Sequence, residues 1–198
     1  MAQRGGGGRR GRQRRQQVQY EELDKYPVLP PHAFARIVRD LRTLNIIYQV
    51  IEPPLTKKEE AVRSEIMDIF VQALTADIEE IDANPELYLR AAMDQIVKSY
   101  RLKVNKKSRS KIFYYLKRDL IGYGRMDVLM NDANVEDVSL DGTNIPIFAY
   151  HRKFESTETT ISWPDDTELE SYVIKLAQRC GKHISVAEPL LDATLMDG

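Results

Sequence analysis

The chain has 198 residues, of which 42% are hydrophobic and 30% are charged, and its formal net charge is −1. These fractions are close to those of soluble globular proteins, so the sequence can form one large domain or two small ones. It contains no apolar run near the roughly 18 residues that span a bilayer and no signal-peptide-like stretch at its start. The single cysteine, Cys180, excludes an internal disulfide. We therefore expect a cytoplasmic protein.

The first residues differ in charge from the rest of the chain. Six arginines and no acidic residue lie between Met1 and Gln19, which leaves 23 basic and 30 acidic residues, a charge of about −7, for the remainder. This Gly/Arg/Gln-rich segment has too little apolar surface to offset the entropy lost on ordering. Residues 1–27 are therefore predicted to be a disordered tail. We interpret it as a solubilising extension; the alternative is an electrostatic tether to anionic lipid or nucleic acid.

Two strands are predicted after the tail. Residues 33–39 alternate loosely, residues 46–51 are β-branched and aromatic, and the short polar stretch between them suits a hairpin loop. The spacing of Ile37, Leu41 and Leu44 would also fit a helix. The β-branched density and the flanking prolines favour the hairpin.

Two amphipathic helices have clear start signals. Thr56 and Glu59 stand at capping-box spacing, where hydroxyl and carboxylate each satisfy a free backbone amide. Asn84 followed by Pro85 is typical of a cap and a first helical position. The two helices place these apolar residues on their expected inner faces: Val62, Ile66, Ile69, Phe70, Ala73 and Leu74; and Leu89, Met93, Ile96 and Tyr100.

A third helix follows the basic linker 101–107. Ser108 or Ser110 is its predicted cap, and Gly122 and Gly124 are predicted to end it in the left-handed conformation. Its expected inward residues are Ile112, Tyr115, Leu116 and Leu120. Three such helices with short connections predict a helical bundle.

The remainder reads as mixed α and β structure. A short helix is expected at 126–130, strands at 135–140, 145–150 and 157–162, and a strongly patterned helix at 167–179. The last segment, 184–195, is expected to be extended. Asp197–Gly198 is a hairpin-turn signature without a second strand after it, which predicts that the natural chain continues.

The predicted fold class is therefore α+β. It consists of an N-terminal β-hairpin and three-helix bundle, followed by a small mixed α/β domain that is incomplete at its C-terminal end. The predicted divisions are the tail at 1–27, the hairpin and bundle at 28–122, and the α/β domain at 123–198.

Several runs of this sequence resemble the N-terminal region of the type II/IV secretion ATPase family. The archaeal branch, which contains the archaellum motor ATPase and archaeal pilus-assembly ATPases, is the most similar. The runs are 46–56, 120–127 (LIGYGRMD), 135–142 (VEDVSLDG), 149–154 (AYHRKF), 176–185 (LAQRCGKHIS) and 187–195 (AEPLLDATL). They are spread over most of the chain after residue 28 and occur in the family's order.

The resemblance implies a hexameric ring motor. In this family an N-terminal region precedes a RecA-like motor domain that binds ATP and Mg²⁺. The resemblance therefore implies that the small α/β domain of this chain is a PAS-like sheet with helices, truncated before the RecA-like motor domain. Hydrolysis there acts on a membrane-embedded platform protein and drives filament assembly or rotation. The implied location is cytoplasmic, peripheral to the inner face of the cell membrane. The implied partners are the platform protein and the RecA-like domains of the same and neighbouring subunits.

No phosphate-binding loop can be assigned in this chain. Such a loop needs a glycine-rich turn ending in Gly-Lys-Ser/Thr before a helix. Gly181-Lys182 is followed by His183, lacks the upstream glycine because Leu176 stands there, and sits at a predicted helix end. We expect no catalytic residues and no metal site in this fragment, and whether the chain alone is an enzyme stays open.

The family's N-terminal domain covers the nucleotide cleft, and its arginines approach the phosphates. By this resemblance, Arg152, Arg179 and Lys182 are hypothetical nucleotide contacts in the complete ring; the simpler interpretation is that they are ordinary solvated or salt-bridged side chains. His151 and His183 lack motif-level partners and are interpreted as structural.

The third helix and its linker are strongly basic. Four aromatic residues interleave with the cations, a pattern that also suits nucleic-acid binding; they are Tyr100, Phe113, Tyr114 and Tyr115. Given the resemblance, docking to platform-protein loops or anionic lipid is favoured, and a freestanding nucleic-acid-binding protein with a basic tail is the alternative. The cations are Arg101, Lys103, Lys106, Lys107, Arg109, Lys111, Lys117 and Arg118.

Overall fold

The described chain begins with three strands that form an antiparallel meander. The structure is a computed structural model that describes residues 19–73, 84–184 and 190–195. Its first strands are β1 (Tyr20–Leu29), β2 (Ala33–Asp40) and β3 (Ile46–Ile51). β2 pairs antiparallel with both β1 and β3, so residues 33–51 are not helical. The tail boundary predicted at residue 27 is wrong, because Leu23, Tyr26 and Val28 of β1 pack against the core of the sheet.

Three helices follow β3. They are α1 (Lys57–Ala73), α2 (Pro85–Ser99) and α3 (Lys106–Leu120). The capping box is confirmed, because Thr56 N donates to Glu59 Oε2 at 2.7 Å and Glu59 N donates to Thr56 Oγ1 at 3.3 Å. The Asn84 cap is confirmed as well. The serine cap predicted for α3 is wrong, because Asn105 accepts the Ser108 amide at 2.8 Å.

These helices share one hydrophobic cluster that is separate from the core of the sheet. Tyr100, predicted to face inward, is 57% exposed because it lies at the C-cap of α2, where the chain leaves the helix. Tyr115 and Leu120 are half-buried rather than central. The cluster is built from Ile66, Phe70, Leu89, Met93, Ile96, Ile112, Phe113 and Leu116.

The second half of the chain alternates between short helices and strands. After a 3₁₀ turn (Gly124–Met126) come α4 (Asp127–Met130), β4 (Val135–Ser139), β5 (Phe148–His151), β6 (Glu155–Thr159) and α5 (Asp166–Arg179). The strand predicted at 145–150 begins only after Pro146, which cannot donate to a ladder. The strand predicted at 157–162 lies two to three residues earlier in the structure.

All six described strands form one mixed sheet in the order β1-β2-β3-β6-β5-β4. Only β3 and β6 pair parallel; the other neighbours are antiparallel. With five described helices, the α+β class is confirmed. Strands from both sides of the predicted division after residue 122 share this sheet. The two predicted domains are therefore not packed as separate units.

The inner face of the sheet packs against α5 and against the segment between α3 and β4. Ala35, Ile37, Tyr48 and Ala149 of the sheet are fully buried, and Leu169, Tyr172 and Leu176 of α5 pack on their cluster. No described helix is long and apolar enough to cross a membrane. Several predictions fall outside the described residues: tail residues 1–18, Leu74, part of the run 187–195, and the Asp197–Gly198 turn.

Candidate functional site at the junction of helices and sheet

A group of charged side chains joins α1 and α3 to the end of β3. Arg118 of α3 donates from one guanidinium nitrogen to both carboxylate oxygens of Glu52, at 2.9 and 2.8 Å, and from Nε to Asp119 at 2.8 Å. Asp119 also accepts from Arg63 of α1 at 2.6 Å. Burial alone would lower the pKa of Arg118, but Asp119 and Glu52 raise it above its usual value. The guanidinium therefore stays charged.

Two tyrosines of α3 extend this polar contact. Tyr114 donates its hydroxyl to Glu52 at 2.7 Å, and Tyr115 donates to the Pro53 carbonyl at 2.8 Å. Burial is the first cause of the raised pKa of each phenol. Arg118 also stacks on the Tyr115 ring at 4.7 Å. Helix α3 is therefore fastened to residues 52–53 mainly by polar bonds.

Helix α5 reaches the same junction through backbone carbonyls. Lys175 Nζ donates to the Asp119 carbonyl at 2.5 Å, and Arg179 donates to the Gly122 carbonyl at 2.8 Å. Arg179 also stacks 4.3 Å from the centre of the Tyr123 ring. These two cations satisfy carbonyls that the end of α3 leaves without helical partners. Burial lowers the pKa of Lys175.

Two open clefts flank Arg118. One, of about 960 Å³, lies between α2, α3 and the β1–β2 turn, and Arg179 also lines it. The other, of about 940 Å³, is bounded by residues of α1, α3 and α5. Both have mixed charge, with cations and carboxylates on their walls.

The basic residues of α3 are largely neutralised by other parts of the chain. Lys111 pairs with Glu59 at 2.6 Å, Lys117 pairs with Glu86 at 2.5 Å, and Arg109 pairs with Asp94. Arg118 is bound as described above. The other four cations of the predicted basic group make no ion pair with a described residue: Arg101, Lys103, Lys106 and Lys107.

The three predicted nucleotide contacts lie in separate local settings. Arg152 is 62% exposed and donates to Glu136 of β4 at 3.0 Å. Arg179 lies at the junction, and Lys182 donates to the Asp192 carbonyl at 2.8 Å. No described hydrogen bond joins any two of the three. Arg179 borders the 960 Å³ cleft.

A buried carboxylate lies at the base of the first cleft. Asp127 accepts the Tyr123 amide at 2.8 Å, and burial raises its pKa. A Cβ added to Gly122 would lie 2.8 Å from Asp127 Cγ and 2.9 Å from the Arg118 carbonyl, so only glycine fits. The left-handed conformation predicted for Gly122 is wrong, since the positive φ, +57°, belongs to Gly124.

A second buried polar group ties four parts of the sheet domain together. Asp132 accepts hydroxyl hydrogen bonds from Tyr26 and Tyr48, both at 2.6 Å, and the backbone amide of Asn134 at 2.9 Å. Tyr26 also lies 2.9 Å from His151 Nε2. Asp132, Tyr48 and His151 are almost fully buried. The group therefore holds β1, β3 and β5 to the segment after α4.

His151 has a defined protonation state in this group. Its Nδ1 accepts the Lys153 amide at 3.1 Å, so the ring proton lies on Nε2 and is donated to Tyr26. Burial lowers the pKa of His151. This bonding fits the structural interpretation. His183 is exposed, and Cys180 is half-buried beside the C-terminus of α5.

The sequence gives little warning of either polar group. Glu52 lies in a run that carries the family resemblance, but no spacing links it to Arg118. Asp132 and Tyr48 are 84 residues apart. Within the described residues no cluster of His, Cys, Asp and Glu could hold a metal ion. These groups can fix the relative position of helices and strands, and they present no nucleophile with an adjacent base.

Comparisons with known proteins give relatives in one organism. No protein-family model matches the chain. An uncharacterized protein of Methanocaldococcus jannaschii is 41% identical over 152 residues, which are 76% of this chain and 60% of the relative. Two longer uncharacterized proteins of that organism are 37% identical over 98 and 87 residues, or 50% and 43% of this chain and 18% and 12% of the relatives. The chain thus spans from about one eighth to three fifths of their lengths.

Proposed function

We propose that this chain is the N-terminal, non-catalytic region of a hexameric secretion or filament-assembly ATPase of the archaeal branch. The observation that carries the proposal is the ordered set of family-like runs. Four of them coincide with elements that meet in the structure: the end of α3 with the turn after it, β4, β5 and the C-terminus of α5. The activity proposed for the complete protein is ATP hydrolysis with Mg²⁺ in a RecA-like domain.

The lengths of two of the three relatives are compatible with this proposal. The relative that is 41% identical has only about 250 residues, since 152 matched residues are 60% of it, and its length does not add support. In two of them the matched residues form less than one fifth of the polypeptide, so this kind of region occurs inside long chains. All three relatives are archaeal. All three are uncharacterized proteins, so they give no support for ATP hydrolysis itself.

In finer detail, we propose that α1, α2 and α3 act as a three-helix bundle that docks the membrane platform protein, and that the mixed sheet is PAS-like and covers the nucleotide cleft of the ring. The polar junction supports separate roles for the helices and the sheet. The helical cluster and the sheet cluster are separate hydrophobic cores. Between them lie the polar junction and a small apolar cluster of Ala33, Tyr114 and Val128, and an interface of this mixed type permits domains to shift relative to each other. The proposed location is cytoplasmic and peripheral to the membrane.

Among the three proposed nucleotide contacts, Arg179 has the best position because it borders the 960 Å³ cleft. In the complete ring it would exchange its bond to the Gly122 carbonyl for a phosphate oxygen. Arg152 and Lys182 would have to leave Glu136 and the Asp192 carbonyl, respectively.

The decisive experiment is to sequence the encoding locus and to assay its full product. We expect a reading frame that continues into a Gly-Lys-Ser/Thr loop, and a purified protein that hydrolyses ATP only with Mg²⁺. In that protein Arg179→Ala should lower turnover, while Arg42→Ala, an exposed arginine on the far hairpin, serves as the control. A frame without such a loop would reject the proposal.

The alternative, a freestanding nucleic-acid-binding protein, has weaker support. Phe113 and Tyr114 are buried, so of the predicted stacking aromatics only Tyr100 is well exposed. Filter binding distinguishes the two: tight, salt-sensitive retention of DNA or RNA would favour the alternative.

A further inference from the structure

The 960 Å³ cleft runs along one side of α3. The α3 residues that line it begin with Lys106, the first residue of the helix, and continue to Arg118 near its end. With 15 residues, α3 is about 22 Å long at roughly 1.5 Å per residue. An extended peptide of about six or seven residues has a similar length. The cleft is therefore long enough for an extended segment, and we call it the α3 groove.

One wall of the α3 groove is apolar. It is formed by the turn between β1 and β2, where Leu29, Pro30 and Pro31 line the groove. The next residue, His32, places its Nε2 atom 3.0 Å from the Ser110 hydroxyl of α3, so the turn is fastened to the helix. A groove that is formed before its ligand arrives binds at a lower entropy cost.

The opposite wall consists of charged side chains from α2 and α3. In its middle, the Arg90 guanidinium stacks 4.1 Å from the centre of the Phe113 ring. Arg90 approaches the Glu86 carboxylate only to 3.9 Å and donates no hydrogen bond to a described residue. The two closer ion pairs of this wall use both of its carboxylates: Glu86 with Lys117, and Asp94 with Arg109.

The α3 groove therefore has a surplus of positive charge. Six lysine and arginine side chains line it, against three carboxylates. Lys106 makes no ion pair within the described part of the chain. Lys106 lies seven residues before Phe113, or about 10 Å along the helix, and Arg179 lies at the other end, bonded to the Gly122 carbonyl. The cations without a carboxylate partner are thus spread along the groove.

These features distinguish among possible anionic ligands. A single phosphate group offers its charge at one point, whereas the cations are spread over roughly 10–20 Å. A nucleic acid fits poorly, because the half-exposed Glu86 and Asp94 carboxylates would repel its phosphates. The phenylalanine and tyrosines that line the groove are also buried, so they offer no ring for base stacking. The backbone amides of a peptide, in contrast, can donate to carboxylates.

We propose that the α3 groove binds an extended, acidic segment of a partner protein, about six residues long. Carboxylates of the segment pair with Arg90 and Lys106, and its apolar side chains pack on Pro30 and Pro31. Successive side chains of an extended chain point to opposite sides, so a segment in which acidic and apolar residues alternate fits both walls. Its binding requires no nucleotide and no motor domain and is independent of the ATPase proposal.

The test is selection from a phage-displayed library of random heptapeptides, with the full 198-residue chain as the target. We expect the enriched peptides to alternate apolar residues with aspartate or glutamate. A fluorescein-labelled peptide of the consensus sequence should then bind the chain in an anisotropy titration. Salt should weaken this binding, because it screens exposed charges.

Charge reversal within the groove should weaken binding of the labelled peptide. Lys106→Glu and Arg90→Glu should each raise its dissociation constant about tenfold, because an attractive contact becomes a repulsive one. Lys107→Glu is the matched control, since Lys107 is also exposed in the first turn of α3 but does not line the groove. This variant should bind the peptide as the parent chain does. Circular dichroism verifies that each variant is folded.

Several results would overturn the inference. The selection enriches no peptide, or it enriches peptides without acidic residues. Both groove variants bind the peptide unchanged, or Lys107→Glu weakens binding as much as Lys106→Glu, which would mean non-specific attraction between charges. Tripolyphosphate or a single-stranded oligonucleotide binds the chain more tightly than the peptide and displaces it, which would make a small anion or a nucleic acid the ligand of the groove.

Discussion

One nitrogen of Arg118 lies 2.9 Å and 2.8 Å from the two carboxylate oxygens of Glu52, and this pair connects α3 to the end of β3. Both side chains are largely buried. Since Tyr114 donates to the same carboxylate, Glu52 accepts from two side chains of one helix. The orientation of α3 on the sheet therefore depends on a small number of charged groups, together with the apolar contact of Tyr114 with Ala33.

Removing Arg118 should be costly. Arg118→Met leaves the Glu52 and Asp119 carboxylates without their shared cation, and we expect the free energy of unfolding to fall by about 3 kcal/mol. Urea unfolding at neutral pH measures this value. Arg152→Met is the control, because its pair with Glu136 is exposed and should contribute less than about 1 kcal/mol. Equal losses in the two variants would contradict the importance of the junction.

Gly122→Ala should lower stability through a steric conflict. The new methyl would press on the Asp127 carboxylate and the Arg118 carbonyl, and overpacking of this kind typically costs about 1–3 kcal/mol. Thermal unfolding measures the loss. Gly181→Asn is a suitable comparison: Gly181 has φ of +66° with nothing within 4 Å of an added Cβ, and asparagine tolerates that conformation. If the Gly122→Ala protein were as stable as the Gly181→Asn protein, the end of α3 and the start of α4 would be able to move apart and relieve the conflict.

Glu59 should make folding sensitive to acid. Its hydrogen bond with Lys111 is the first cause that lowers its pKa from 4.5 to about 2 in the folded chain. Between those values the unfolded chain takes up a proton that the folded chain does not, so stability falls as pH drops from 4.5 towards 2. Glu59→Gln should have a flatter melting-temperature profile in this window. Parallel profiles for parent and variant would contradict the assignment.

His151 should act in a higher pH window. Burial lowers its pKa below the ordinary 6.5, although Asp132 and Asp24 oppose the shift. The unfolded chain therefore binds a proton first, and stability should fall as pH drops below 6.5. His151→Gln should reduce this slope, as measured by unfolding at a series of pH values. His32→Gln provides the comparison. Burial lowers the pKa of His32 too, but the His32 ring contacts Ser110 of α3 and not the buried group around Asp132.

Local signals in the sequence predict the helices well and the sheet less well. The Thr56–Glu59 capping box and the Asn84–Pro85 start act within a few residues, so they are visible in the sequence. β1 is not predicted, because charged residues separate its apolar side chains Leu23, Tyr26 and Val28. These side chains pack on a core whose residues lie far away in the sequence. The sequence groups Arg118 with the other cations of α3 and its linker, and it does not reveal the partner Glu52, which is 66 residues away.

The same limit applies to the site. Arg152, Arg179 and Lys182 come from a resemblance, and a sequence does not show which of them border a cleft. Asp132, Tyr26 and Tyr48 carry no motif because their contact depends on strand pairing. The sequence also does not predict that Leu44 is exposed, since its spacing with Ile37 and Leu41 fits an amphipathic helix as well.

The parallel pairing of β3 with β6 bears on how this chain folds during synthesis. The Val50 amide donates to the Thr160 hydroxyl across 110 residues, and α1, α2 and α3 lie between these two residues in the chain. When the ribosome has released β1 to β3, the free side of β3 has no neighbouring strand until β6 emerges. Closing so long a loop carries a large entropy cost. Early formation of the three helices shortens the effective loop, and their assembly should thus precede completion of the sheet.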